Sequence, residues 1–402
     1  MAKKRKTRRG GIDAGNGEAK FWFEGETAGL AIPTAEIEIF RNNNKFNMLA
    51  VNDVTIENIH EKLDITFVSS KALEETNRRF KIGVHTLTEI GIKPDETEFD
   101  SNKFASELIA RSVLSGILVD AIKQKSKEQG NLDFKSVKAT YDIALALPLL
   151  EINPESFSAH ALRFIGSHEM IYHFPNGKTI EVTLEIEFSS TFPEGAIAVY
   201  PIMFNMDGTY KTYTLTVNGE TITTNLSEYM ILLSDIGAGT LDLAVMDGLN
   251  YDFTNSKSLP LGTKEVVMGI IDEWNEHDPL NRIDSLTKFT NIYSSKNDFR
   301  ANNLVAFASP RLSANSRKIG TEVKNIFNKL GSKSVNVFCG GGSLLYKDQL
   351  TKMMNTDEKY KGRTIFAEHD KFINSLGLLM IMLQVSYDEM KEQYLAEAHG
   401  TV

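Results

Sequence analysis

Residues 233–242 read Leu233-Ser234-Asp235-Ile236-Gly237-Ala238-Gly239-Thr240-Leu241-Asp242. An apolar run, Tyr229 to Ser234, delivers a carboxylate to a turn of small residues, and a second run, Leu241 to Met246, leads away from it. That is the pattern of a β-hairpin. Glycines at 237 and 239 let backbone N–H groups of the Gly237-Ala238-Gly239-Thr240 turn approach an anion.

Working outward, the same arrangement occurs near the start of the chain: Gly11-Ile12-Asp13-Ala14-Gly15-Asn16-Gly17-Glu18-Ala19-Lys20. Asp13 repeats Asp235, Gly15, Asn16 and Gly17 form the turn, and Lys20 can neutralise phosphate charge. Either segment alone is also readable as an ordinary hairpin with solvated polar residues. Together they suggest two hairpins gripping one phosphate chain from opposite sides. A third segment, Val335-Asn336-Val337-Phe338-Cys339-Gly340-Gly341-Gly342-Ser343, ends a buried strand in three glycines and opens a helix. Backbone without side chains at Gly340, Gly341 and Gly342 can approach a flat base or a ribose. No G-x-G-x-x-G follows the first strand and no G-x-x-x-x-G-K-[ST] occurs, so neither a dinucleotide-binding fingerprint nor a P-loop is present.

Between these segments strand and helix patterns alternate, as in α/β proteins. Helices are expected over 104–127, 264–274, 314–330, 344–354 and 370–397. In the first, Leu108, Val113, Ile117 and Ala121 share a face, with charges opposite. Residues 140–147 form a continuous apolar run before Pro148, the mark of a strand buried on both faces. Ile180, Val182, Leu184, Ile186 and Phe188 alternate after an Asn176-Gly177 turn, and a second hairpin centres on Asn218-Gly219. Asn42 to Asn44 offer turn chemistry. His160, His168 and His173 lack metal-ligand spacing and read as surface or hairpin residues.

The chain has 402 residues, 42% hydrophobic and 24% charged, and a net charge of -9. An acidic body disfavours bare nucleic acid. The one cysteine, Cys339, excludes an internal disulfide and reads as a small buried hydrophobe. The most apolar C-terminal stretch, Leu376 to Val385, is far short of the ~20 residues that span a bilayer. With no signal peptide visible, a cytoplasmic protein is expected. Six of the first nine residues are basic: Lys3, Lys4, Arg5, Lys6, Arg8 and Arg9. They suit a solvated tail, a contact with DNA or an acidic neighbour, or in part a strand.

The three segments, in this order, resemble the phosphate-1, phosphate-2 and adenosine motifs of the actin, sugar kinase and heat-shock chaperone superfamily. Within it the chain is most similar to the bacterial plasmid-segregating ParM and Alp group. Leu147-Pro148-Leu149-Leu150-Glu151 looks like that group's Leu-Pro-Leu-x-Glu connection, Phe192-Pro193-Glu194-Gly195 like its Phe-Pro-Glu/Gln-Gly turn, and Asn374-Ser375-Leu376-Gly377 like its Asn-x-x-Gly connection. The resemblance implies an actin-like α/β fold of two duplicated domains with a nucleotide cleft between them. The first would cover about 1–224 plus 372–402, with an outer subdomain near 33–100, and the second about 225–371, with an outer subdomain near 257–301.

The same resemblance implies ATP, or GTP, with Mg²⁺ held by Asp235 and Asp13, mostly through water, and Glu151 orienting the attacking water. It implies nucleotide-dependent filaments of this chain and a small DNA-binding adaptor at a plasmid centromere, with no direct sequence-specific DNA binding and no membrane. A small-metabolite kinase or a non-polymerising ATPase switch are the alternatives. A kinase needs a carboxylate base beside a substrate hydroxyl, and no separate Asp motif of that sort is visible.

Overall fold

The computed structural model describes residues 7–40, 54–89, 92–96, 105–148, 151, 154–217, 219–295, 297–368 and 370–398. Lys3 to Lys6, Asn42 to Asn44, Leu149, Leu150 and Asn218 lie outside these. The chain forms two compact units, one of Met1–Leu147, Asn153–Phe192 and Ile381–Val402, the other of Pro148–Ile152 and Pro193–Met380.

The first unit is built on a ten-stranded sheet. Its strands are β1 (Arg8–Ala14), β2 (Glu18–Phe23), β3 (Leu30–Pro33), β4 (Ala35–Glu38), β5 (Leu63–Ser70), β6 (Arg78–Ile82), β7 (Asp95–Glu96), β8 (Ser136–Leu147), β9 (Gly166–His173) and β10 (Thr179–Pro193), in the order β3-β2-β1-β8-β10-β9-β5-β6-β4-β7. β1 pairs antiparallel with β2 and parallel with β8. Helix α1 (Glu107–Gln129) packs on it, capped by Ser106, whose side chain accepts from the Ile109 amide, and stopped by Gly130 in the left-handed region. The amphipathic expectation for α1 fails: residues 109–122 are buried all round. The two charges within that stretch, Arg111 and Asp120, are buried because each is paired. Arg111 donates to both oxygens of Glu36 at 2.7 and 2.6 Å, and Asp120 accepts from Arg8 at 2.6 and 2.9 Å and from the Tyr141 hydroxyl at 2.8 Å.

Arg8 and Arg9 are therefore strand residues with structural partners. Arg9 donates to the Met382 carbonyl at 2.5 Å and pairs with Asp388. Asp388 lies on the C-terminal helix α9 (Val385–Ala398), which is also tied to β8: Lys391 reaches Asp142 at 2.8 Å, and the Tyr387 hydroxyl donates to the Ile143 carbonyl. Burial raises the Asp142 pKa, with Lys391 opposing it.

Of the three histidines, His168 and His173 do lie on the β9–β10 hairpin, His173 half-buried, but His160 and His168 are not on the surface. His168 is fully buried on β9, bonded to Ser70 Oγ and the Phe164 carbonyl, both at 2.8 Å, and His160 is 3% exposed on helix α2 (Pro154–Phe164). Neutral imidazole with both nitrogens satisfied is compatible with a core.

The second unit carries a five-stranded sheet, β15-β14-β13-β16-β17, made of β13 (Met230–Ile236), β14 (Leu241–Asp247), β15 (Asn250–Leu259), β16 (Ser334–Cys339) and β17 (Thr364–Phe366). Both faces are covered. Leu232, Ile236, Leu243 and Val245 point to α4 (Lys264–His277), α5 (Leu286–Ser294), α6 (Ala301–Phe327) and α7 (Ser343–Asn355). Ile231, Leu233, Ala244 and Val337 point the other way, onto α3 (Val199–Met203), Leu215 of the β11 (Tyr213–Val217)–β12 (Glu220–Thr224) hairpin, and Ile373 at the start of α8 (Ile373–Met382). These last contacts explain why residues 193–224 and 372–380 fall in the second unit rather than the first. The helix expected over 314–330 starts earlier, at Ala301, and the one expected over 370–397 is two, α8 and α9.

Candidate nucleotide-binding site

The two Asp-x-Gly segments fold alike. In the first hairpin Asp13 is the register partner of Lys20, and the Gly15 amide closes the turn on the Glu18 carbonyl at 2.9 Å. In the second Asp235 is the partner of Asp242, and the Gly237 amide closes on the Thr240 carbonyl at 2.9 Å. Each places a buried carboxylate just before a four-residue turn: Asp13 is 4% exposed and Asp235 6%.

Within the first unit, Lys20 Nζ donates to Asp13 Oδ2 at 3.2 Å. Thr34, which no motif flags, fastens the turn to the start of β4: its hydroxyl donates to the Gly15 carbonyl at 2.8 Å and its amide to the Gly17 carbonyl at 3.0 Å.

The second unit brings more of the expected residues together. The turn 237–240 is gripped through its carbonyls, which accept from the amides of Gly262, Thr263 and Lys264 at 2.8 to 3.2 Å. A Cβ at Gly262 would lie 2.2 Å from the Ala238 carbonyl oxygen, so only glycine allows this approach. With the carbonyls tied back, the amides of Ala238 and Gly239 donate to no protein acceptor among the described residues, and the same holds for Gly17 in the first hairpin. Such amides are a ready anion contact. Gly340 follows β16 with φ +83, and a Cβ there would stand 2.0 Å from Asp235 Oδ1, so the three-glycine segment abuts the hairpin carboxylate. Gly341 meets open space.

Asp242 is the residue sequence reading missed. It is 3% exposed; Oδ2 accepts from the Thr240 hydroxyl at 2.7 Å, while Oδ1 is buried with no partner among the described residues. An unsatisfied buried carboxylate oxygen is costly and fits a cation or a water carried by one. Only the echo with Lys20, seven residues after its own aspartate, could have pointed to it. Among the described residues no three His, Cys, Asp or Glu side chains gather as a metal cluster; this site presents two facing carboxylates.

Beside the turn an open cavity of about 270 Å³ is lined by Leu261, Gly262, Glu265 and Val266 on one side and Arg311, Asn315 and Lys318 of α6 on the other. Gly262 belongs both to the cavity and to the grip on the turn. Arg311 is held by Glu273, and Asn315 donates to the Tyr346 hydroxyl at 2.8 Å.

Glu151 lies just past β8, half-buried, its amide bonded to the Pro148 carbonyl at 2.9 Å. Its segment clusters with the second unit although β8 belongs to the first.

No family model matches the chain, and no curated protein matches it. Solved structures do. The crystal structure of the actin-like protein Alp7A is similar with a TM-score of 0.70 at 18% identity, covering 98% of this chain and 100% of that one. A non-polymerisable quadruple mutant of pCBH ParM gives 0.64 at 14% identity, covering 94% and 99%. Bacillus thuringiensis ParM with ADP gives 0.58 at 16%, covering 94% and 98%, and the same protein with ATP 0.53 at 16%, with the same coverage. Across nearly its whole length, this chain has the actin-like α/β fold of the ParM and Alp proteins.

Proposed function

We propose that the chain is an actin-like ATPase that polymerises in a nucleotide-dependent way to segregate plasmid DNA. The observation that carries this reading is the matched pair of Asp-x-Gly hairpins, each with a buried carboxylate, whose Gly17, Ala238 and Gly239 amides donate to no acceptor among the described residues. The similarity to ParM structures holding ADP and ATP supports it. Phosphoryl transfer to water needs positioning, charge neutralisation and an oriented water more than covalent help. The amides of Ala238, Gly239 and Gly17 would hold phosphate oxygens, and Lys20 would offset their charge. Asp235 and Asp13 would hold Mg²⁺ mostly through water, with Asp242 accepting from one of those waters. The ion would supply charge neutralisation on the phosphates. Glu151 would orient the attacking water. The cavity between Leu261 and Lys318, with Gly340 to Gly342, would take the nucleoside, adenine or guanine.

The outer subdomains near 33–100 and 257–301 would shape the filament contacts. A small DNA-binding adaptor would link the polymer to a plasmid centromere, since a body of net charge -9 repels the DNA backbone. Among the described residues no helix is long and apolar enough to cross a membrane, and we place the protein in the bacterial cytoplasm.

Negative-stain microscopy with and without ATP and Mg²⁺, alongside phosphate release, tests the reading. Filaments that appear only with nucleotide support it. Phosphate release without filaments would favour a non-polymerising switch, and release stimulated by a small hydroxylated metabolite would favour a kinase.

A further inference from the structure

Asp235 is constrained at both carboxylate oxygens. Asn374 Nδ2 donates to Oδ2 at 2.7 Å, with Asn374 4% exposed. On the other side the Gly340 backbone crowds Oδ1 so closely that a Cβ would stand 2.0 Å away. The terminal torsion of an aspartate is broad; a donor on one oxygen and backbone against the other removes that freedom.

Asn374 is itself set by packing. It sits in the first turn of α8, and Gly377, one turn on, lies against the short helical turn Ala196–Ala198, where a Cβ would be 2.2 Å from the Ile197 carbonyl oxygen. Helix and turn thus meet backbone to backbone, and Ser375 anchors the helix start by donating to the Phe372 carbonyl at 2.9 Å. The Phe192-to-Gly195 turn runs directly into Ala196–Ala198, which backs the helix that carries Asn374. A neutral amide donor also orients Asp235 without cancelling its charge, unlike Lys20 beside Asp13.

We propose that Asn374 is a positioning residue for Asp235: it fixes the carboxylate plane so that the charge is presented to the hydrated Mg²⁺ of the nucleotide. This rests on the reading of Asp235 as the Mg²⁺-holding group. Partners that orient a metal's ligands typically alter affinity by about 10–100-fold when removed.

The test titrates Mg²⁺ against binding of a fluorescent ATP analogue by the full chain, for wild type, Asn374→Ala, Asp235→Asn and the double variant, with metal-free affinity measured in EDTA. Asn374→Ala is expected to raise the half-saturating Mg²⁺ concentration roughly 10-fold, leave metal-free affinity unchanged, and add nothing in the Asp235→Asn background. An unchanged midpoint in Asn374→Ala beside a shifted one in Asp235→Asn overturns the inference and leaves the site reading intact. An additive shift in the double variant overturns it too, since the effect would then not run through Asp235. Absence of nucleotide binding by wild type, or no shift in Asp235→Asn, overturns the site reading and the inference with it. If Asn374→Ala does not fold, Asn374→Ser carries the same comparison.

Discussion

Asp242 stands directly opposite Asp235 across the β13–β14 pair, in the register position that Lys20 holds opposite Asp13 in the first hairpin. Directly opposed residues of an antiparallel pair share a face. One hairpin therefore couples its carboxylate to a cation, and the other sets two carboxylates side by side.

Removing one of those carboxylates should weaken the hold on a divalent cation. Asp242→Asn is expected to raise the Mg²⁺ concentration that half-supports ATP hydrolysis by about 10-fold, with nucleotide affinity in EDTA unchanged or improved. Hydrolysis rates across a Mg²⁺ series check this; an unaltered midpoint would take Asp242 out of the site.

Glu151 should act later on the reaction path. Orienting a water matters mainly in the transition state, so Glu151→Gln should slow hydrolysis by roughly 100-fold while nucleotide affinity stays within about twofold. Single-turnover phosphate release and equilibrium binding, measured separately, distinguish this from a binding defect. Unchanged hydrolysis would remove Glu151 from the mechanism.

Gly262→Ala should damage the site through its geometry. A Cβ there would be 2.2 Å from the Ala238 carbonyl oxygen and 2.4 Å from the Gly239 carbonyl carbon, so the turn or its grip must shift. Affinity for an ATP analogue is expected to fall about 10-fold, roughly 1.4 kcal/mol, with filament formation lost in parallel. Lys318→Ala, across the cavity and clear of the turn, should lower affinity less.

The hairpins were legible because their chemistry is local: an aspartate, small residues and flanking apolar runs need no distant partner to be recognised. The alternation from Ile180 to Phe188 was legible because it is local too. What sequence could not show depended on long-range contact. Arg111 and Asp120 look like the solvated side of α1 until Glu36 and Arg8 are brought beside them. His168 looks like a surface residue until Ser70 and the Phe164 carbonyl satisfy its buried ring. Asn374 was visible as part of a spacing pattern, but its hold on Asp235 crosses 139 positions of chain.

Acid should destabilise the first unit through its buried histidines. Burial lowers the pKa of His168 from 6.5, and those of His60, His85 and His173 move the same way. A lowered histidine means that the unfolded chain binds more protons below pH 6.5 than the folded one. The stabilisation is complete above that value and is lost as the pH falls towards the lowered native pKa. Denaturation midpoints measured from pH 7.5 to 5.5 should decline, and the decline should be shallower in His168→Gln. A flat profile would contradict the buried neutral assignment.

The basic N-terminal residues divide into two groups with different expected behaviour. Arg8 is part of β1, doubly bonded to Asp120, which is buried and also holds Tyr141. Arg8→Ala leaves that carboxylate without its cation, and breaking such a pair typically costs about 3–5 kcal/mol; a lowered melting temperature of the whole chain is the expected readout. Truncation intended to probe the tail must therefore stop at residue 6, because a longer one would test the fold. If the tail bridges acidic faces of neighbouring subunits, the deletion raises the protein concentration at which light scattering with ATP begins and makes that threshold less sensitive to salt, since exposed charges are screened within about 8–10 Å at physiological ionic strength. If the tail serves DNA, the deletion abolishes a salt-sensitive gel shift and leaves the threshold where it was. We expect bridging or no effect: a few charges on an arm give weak DNA affinity beside a body of net charge -9. Tight DNA binding by the purified chain, lost on deletion of residues 2–6, would reverse that expectation and would make the adaptor unnecessary.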